Sequence, residues 1–505
     1  MTSSPMIAIG VSYDADQYER LRGPNPHLIN LFKLKAIARK LRLRTTTASK
    51  KNVRDVLSGP LLEESNQELI LPEQPSGQRP PDSSSVSPHP RPEGKGPNNC
   101  LGLYAIFAHP LCVLLVCVPL GILAPQLQWG SSWTFWLNFM ALVPLAKFLG
   151  DATEELAACL GNETVSGLLN ASFGNAVEMI VAVQAIRENE LPIVKASLLG
   201  SVLSNILLVL GSAFVLGGLT PSATRHGRNH SFLGSPDAYI GLEKEQKFST
   251  KSALISVALL LFSCMSFALP TMFNHFTSDH AKVLSVSRIG ALIVMSTYIA
   301  FLTFQLYTHA KTLSRDESDL PVERTQSGEA IFPPADDDVE AEDADAEAPS
   351  ITASCAVLLM AVCTLVTAVN SELLVGAIQS VVTSAGIPET FIGLILLPIA
   401  GNACEHASAL RFAMVDRPGL AIGIAVGSST QVALLVVPFS VLTAYFMGRP
   451  LDLDFGPLNV LVVTFSVLVV LTLLLDGRSN WMKGYLLMAL YVFIATLYWF
   501  LPSGV

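Results

Sequence analysis

The chain has 505 residues, half of them hydrophobic and only 14% charged, with a mean hydropathy of +0.47 and a formal net charge of −9. So little charge over such a length excludes a soluble globular protein and leaves a polytopic membrane protein. The basic cluster of the N-terminal tail lacks the fold or aromatic platform of a nucleic-acid binder, and the eight cysteines, without CxxC or Cys/His spacing, read as packing residues and not as a disulfide frame or zinc site.

Residues 1–100 are polar, and 72–98 are rich in Pro, Ser and Gly, which predicts a largely disordered tail. No apolar core follows Met1 closely enough for a signal peptide. His27 to Leu43 reads as a short basic helix, either on a membrane surface or solvated. Stretches of roughly 20 apolar residues then predict eleven spans, near 103–124, 132–150, 163–187, 194–219, 251–269, 285–307, 351–383, 389–413, 418–446, 457–475 and 481–501. The stretches 351–383 and 418–446 are long for one straight crossing and are expected to tilt or break. Between the sixth and seventh spans lies a loop, 308–350, carrying Asp336, Asp337, Asp338, Glu340, Glu342 and Asp343. Such charge runs are usually solvated; attraction of cations is the functional alternative, and EF-hand spacing is absent.

Loop charge predicts a cytosolic N-terminus: Arg225, Arg228, Lys244, Lys247, Lys311, Arg315, Arg417, Arg478 and Lys483 then share the cytosol with the basic tail. The sequons at Asn162 and Asn229 fall on that side and should carry no glycan, and the acidic loop is cytosolic too. The expected fold is all-α: a tail (1–100), an extra helix with a first five-helix repeat (101–307), the acidic loop (308–350) and a second, inverted repeat (351–505).

The repeats are visible in the residues. Gly174-Asn175-Ala176-Val177-Glu178 matches Gly401-Asn402-Ala403-Cys404-Glu405, 227 positions later, and Gly200-Ser201 matches Gly427-Ser428 at the same offset. Intramembrane carboxylates are costly enough to read as functional by default, and polar groups at equivalent depths in two halves mark a secondary transporter. Taken as continuous helices, the i, i+3 spacing puts Asn175 with Glu178, and Asn402 with Glu405, on one face. Ser201, Ser204 and Asn205 from one partner span, and Ser428 and Gln431 from the other, complete a set of oxygen donors with two formal negative charges. That set suits a hard divalent cation such as Ca²⁺. Two glutamates hold two protons or one such cation, and mutually exclusive occupancy is the basis of exchange. His406, next to Glu405, is a candidate proton relay or hydrogen-bond partner of that carboxylate. Glu154, Glu155 and Glu372, near span ends, are vestibule candidates, with a solvated helix end as the alternative reading.

At these motifs the chain resembles the cation/proton exchanger family of the cation/Ca²⁺ antiporter superfamily, over roughly 102–503, and vacuolar Ca²⁺/H⁺ exchangers of fungi in particular. The resemblance implies antiport of cytosolic Ca²⁺ against lumenal H⁺ across the vacuolar membrane, with no cofactor and with Ca²⁺, H⁺ and the bilayer as partners. It implies Glu178 and Glu405 as central carboxylates, Asn175 and Asn402 as ligands or orienting amides, Ser201, Ser428 and Gln431 as site-lining residues, and a cytosolic Ca²⁺ role for the acidic loop. Mn²⁺/H⁺ exchange and Na⁺-coupled Ca²⁺ exchange are the alternatives within the same fold. A cation channel is disfavoured by the inverted repeats, and an intramembrane hydrolase by the lack of a catalytic Asp, His/metal or Ser/Lys set.

Overall fold

Two helices of 29 residues, α6 (Leu191–Leu219) and α12 (Pro418–Phe446), are the most enclosed of the long apolar helices. The structure, a computed structural model, describes residues 97–161, 163–220, 244–277, 279–309 and 349–501. The N-terminal tail to residue 96, both sequons and the acidic residues Asp336 to Asp343 lie outside the described residues.

In chain order the remaining helices are α1 (Asn99–Phe107), α2 (Pro110–Gln126), α3 (Ser131–Leu160), α4 (Glu163–Phe173), α5 (Ala176–Arg187), α7 (Thr250–Phe276), α8 (His280–Thr308), α9 (Ala353–Ala385), α10 (Glu389–Gly401), α11 (Ala403–Met414), α13 (Pro457–Leu474) and α14 (Trp481–Phe500). A two-residue antiparallel ladder, β1 (Gln246–Lys247) with β2 (Arg478–Ser479), ties the segment before α7 to the turn before α14. Among the described residues, seven helices are long and apolar enough to cross a bilayer, or nine when each bent pair counts as one crossing. α4 and α5, of 11 and 12 residues, are each too short to cross alone, and α3 carries Lys147, Asp151, Glu154 and Glu155 in its C-terminal half.

Several expectations need correction. The first span is not one helix: α1 meets α2 at 83°, where His109 caps the turn that opens on Pro110. Of the two outcomes expected for 351–383, tilting or breaking, a break is ruled out: the stretch is a single 33-residue helix, α9. The segments 163–187 and 389–413 are each interrupted, at Gly174-Asn175 and at Asn402, and α10 meets α11 at 57°.

The repeat survives in three dimensions with the spacing seen in the sequence. Both α5 and α11 have 12 residues and start 227 positions apart, as do α6 and α12. Asn189 and Asp416, again 227 apart, occupy the left-handed region at φ 63° and 62°, closing the tight turns after α5 and α11. Asn and Asp reach that conformation more readily than other side-chain-bearing residues. A π-helical stretch recurs as well, Ser204–Val209 in α6 and Val432–Val436 in α12. Helix connectivity defines two faces. The near face carries Leu160, Leu219, Met414 and Trp481; the far face carries Arg187, Leu191, Ala385 and Phe446. Since α3 starts at the far face and α9 at the near one, the two halves are inverted.

Close helix approach rests on small residues. A Cβ at Gly200 would lie 2.2 Å from the carbonyl oxygen of Leu394 on α10, and one at Gly484 would lie 2.4 Å from that of Gly211 on α6. Backbone cannot retreat as a side chain can, so Gly200→Ala is expected to cost about 1–3 kcal/mol. Gly376 meets nothing within 4 Å, so Gly376→Ala should be neutral or slightly stabilising. Thermal midpoints of the two purified variants check the contrast.

Candidate ion-exchange site

The two helix breaks bring the motif residues to the centre. Asn175 and Asn402 are N-caps: each backbone carbonyl accepts the first bond of its half-helix, from Met179 (3.1 Å) and from His406 (2.9 Å). The expectation that Asn and Glu share a face of a continuous helix is therefore corrected. The Asn stands at the break, and Glu178 or Glu405 sits in the first turn of the following half-helix, at its positive dipole end. An N-cap Asn normally satisfies an N–H of its own helix. Neither does so here, because each amide is used across the repeat boundary.

Asn175 Nδ2 donates to Gln431 Oε1 (2.7 Å), and its Oδ1 accepts from Ser428 Oγ (3.2 Å), which in turn accepts from Asn205 Nδ2 (3.1 Å). In the opposite sense, Ser201 Oγ donates to Asn402 Oδ1 (3.0 Å), and Asn402 Nδ2 donates to the Ser201 carbonyl (3.3 Å). Each half thus supplies the partners of the other half's asparagine. All five of Asn175, Asn402, Ser201, Ser428 and Asn205 are buried. Ser204 and Asn205 lie on the π-helical stretch of α6, a local widening that often marks functional sites.

The carboxylates stay outside this network. Oε1 of Glu178 and Oε2 of Glu405 are buried without a hydrogen-bond partner. The Glu178 carboxyl abuts the second motif, since a Cβ on Gly401 would lie 3.0 Å from its Oε1. Two cavities flank the centre. The larger, about 230 Å³, is lined by Glu154 on α3, Asn175, Glu405 and Ser408 on α11, and Ile424, Ser428 and Gln431 on α12. The smaller, about 20 Å³, is lined by Glu178, Val181, Ser197, Ser201 and Gly401. Under the 227-residue offset Glu405, Ser408, Ile424 and Ser428 map onto Glu178, Val181, Ser197 and Ser201, so the cavities are images of each other. The large one extends toward the near face. The small one, with room for about one water, lies on the far side of the centre.

The other sequence candidates sit apart. His406 Nε2 pairs with Ser212 Oγ at 2.7 Å, against α6, and not with Glu405. Glu155 accepts from the backbone N–H groups of Ser350 (2.9 Å) and Ile351 (3.3 Å) and from the Ser350 hydroxyl, holding the entry to α9. Glu372 lies 3.6 Å from Arg187 near the far face. Only Glu154 of the vestibule trio lines the large cavity. Sequence reading did not single out Ser408, Ser197 or the crossed amide bonds. The Gly-Asn pair, a known break signal, was the available clue to the last of these.

The description of the family pattern that matches residues 130–307 and 355–500 is "Sodium/calcium exchanger protein". The chain belongs to the sodium/calcium exchanger protein family. Membership sets it among transporters, not enzymes. This exchanger is similar to the "Ca(2+)/H(+) antiporter" of Synechocystis sp., 36% identical over 393 residues, covering 77% of this chain and 97% of that one. It is also similar to the "Vacuolar calcium ion transporter" of Schizosaccharomyces pombe, 34% identical over 395 residues, 77% of this chain and 85% of that one. Among solved structures, "Structure of native YfkE" is 30% identical with a TM-score of 0.59, covering 77% of this chain and 100% of that one.

The crossed amides make a stability prediction. Gln431→Ala strands a buried amide donor of Asn175 and should cost about 1–3 kcal/mol. Asn175→Ala should cost a similar amount, and the double variant clearly less than the sum. Denaturation midpoints of the four proteins close the cycle; simple additivity would mean the two side chains do not depend on each other.

Proposed function

We propose that this exchanger carries Ca²⁺ from the cytosol into the vacuolar lumen in return for protons, with Glu178 and Glu405 as the shared carboxylates at the middle of the bilayer. The observation that carries the reading is the pair of buried, unpartnered carboxyl oxygens at mirrored positions, one beside a cavity of about 230 Å³ and the other beside one of about 20 Å³. A buried carboxylate without a protein partner is strongly disfavoured unless a proton or a cation satisfies it. Two carboxylates accept two protons or one divalent cation, so each ligand displaces the other. The name of the Synechocystis relative supports the same pair of ions, and that of the Schizosaccharomyces pombe relative supports Ca²⁺ and the vacuole.

In this scheme all eleven segments cross the membrane, with α3 and the α4–α5 pair among them, and the near face is cytosolic. Ca²⁺ enters the large cavity past Glu154 and meets Glu405, with the oxygens of Asn175, Ser428 and Gln431 at hand. Closing this cavity and opening its image beside Glu178 exposes the site to the lumen, and the inverted repeat supplies both conformations from one design. His406, held by Ser212, acts as packing in this cycle. Two protons moving down one pH unit release about 2.7 kcal/mol, enough for roughly a hundredfold Ca²⁺ gradient in an electroneutral exchange.

The deciding experiment is ⁴⁵Ca²⁺ uptake into proteoliposomes with an acidic interior, with and without a protonophore. Wild type should take up Ca²⁺ only while the pH gradient lasts, and Glu178→Gln and Glu405→Gln should each fall to the protein-free background. Uptake indifferent to the pH gradient sinks proton coupling; uptake driven by Na⁺, or excess Mn²⁺ outcompeting Ca²⁺, selects the alternative cargo. A second expectation concerns sidedness. On a cysteine-free background, Ser408→Cys should react with an impermeant thiol reagent from the near face, and Ser197→Cys from the far face only. Labelling of both from one side would contradict the mirrored vestibules.

A further inference from the structure

Arg288 lies in the third turn of α8, among the least enclosed of the apolar helices, and the exchange site makes no use of it. Its guanidinium carbon sits 4.5 Å from the ring centroid of Tyr445, next to the last residue of α12. Its Nε is buried and unpartnered. Among the described residues no carboxylate comes within ion-pair distance of Arg288. The far-face acids nearby are engaged elsewhere: Asp279 caps α8 and pairs with Lys282 (3.2 Å), Asp452 pairs with Lys195 (2.5 Å), and Asp454 accepts from Asn274 (2.6 Å).

Depth and surroundings say what kind of group this guanidinium meets. The 29 residues of α8 span about 43 Å at about 1.5 Å per residue, against a hydrocarbon thickness of about 30 Å. Centred, the helix overhangs by about 7 Å at each end, so Arg288, about 12 Å from its far-face end, lies about 5 Å inside the hydrocarbon edge. An arginine side chain reaches the headgroups from there. Tyr445, half exposed, and Phe446, 83% exposed, mark the same level as an aromatic interface. The neighbouring Ile289 and Leu292 are exposed along the lipid-facing side.

We propose that Arg288, held over the ring of Tyr445, binds the phosphate of an anionic phospholipid in the far-face leaflet. The ring sits beside the guanidinium, whose two terminal NH₂ groups match a pair of phosphate oxygens. Free phosphate offers the same oxygens but no acyl chain to lie along Ile289 and Leu292, which favours the lipid. The site is independent of which ions the exchanger carries.

The test uses the full chain purified in detergent, given phosphatidylglycerol, phosphatidylcholine or inorganic phosphate, with native mass spectrometry and thermal melting as readouts. Wild type should retain phosphatidylglycerol in preference to phosphatidylcholine and melt several degrees higher with it, while inorganic phosphate does neither. Arg288→Gln should lose both effects, Arg288→Lys should keep part of them, and Tyr445→Leu should weaken retention. Equal retention of the two lipids by wild type overturns the site, as does undiminished retention by Arg288→Gln. Equal stabilisation by inorganic phosphate overturns the lipid assignment. Should Arg288→Gln fail to fold, unchanged retention in both Arg288→Lys and Tyr445→Leu is the overturning result.

Discussion

Two carboxylates buried among apolar helices set the terms for the rest of the molecule. Taking a carboxylate out of water is unfavourable by several kcal/mol even after relaxation, and Glu178 and Glu405 have no basic residue paired with them among the described residues. The fold answers with geometry. Each glutamate sits at the start of a half-helix, where the peptide dipoles favour negative charge, and each half-helix exists because the chain breaks at an asparagine.

The asparagines explain how such breaks are tolerated. A helix interrupted inside a membrane exposes backbone and side-chain polar groups that lipid cannot satisfy. Here the polar side chains at each break are satisfied from the other repeat: Asn175 by Ser428 and Gln431, Asn402 by Ser201. Neither half is complete alone. The crossed bonds fasten the two half-helices to the partner helices α6 and α12 and leave the carboxylates as the free oxygens of the centre.

The same crossing makes the two halves symmetric in construction and unequal in space. Glu405 adjoins about 230 Å³ and Glu178 about 20 Å³, although Cys404, Ser408, Ile424 and Ser428 beside the first correspond to Val177, Val181, Ser197 and Ser201 beside the second. At the near face, Gln246 donates to the Ala413 carbonyl and to Asp416, each at 2.8 Å. The strand before α7 thereby anchors the turn between α11 and α12 and ties it to the α13–α14 turn.

The residues alone determined the membrane class, the two related halves and their offset of 227, and showed a glutamate at the same place in each. Those follow from hydropathy and from local repetition, which any stretch of the chain displays without its neighbours. Tertiary structure decided what side chains do once distant segments meet. It turned Asn175 and Asn402 from members of a helix face into N-caps whose amides reach across the repeat, because their partners lie more than 200 positions away. It moved His406 to Ser212, gave Glu155 to the entry of α9, and left Glu154 alone of the three at the cavity, since positions one residue apart on a helix face different neighbours. The difference in size between the two cavities was beyond any reading of the sequence, because two nearly equivalent repeats do not say which side is packed more tightly, and only contacts between distant segments fix that.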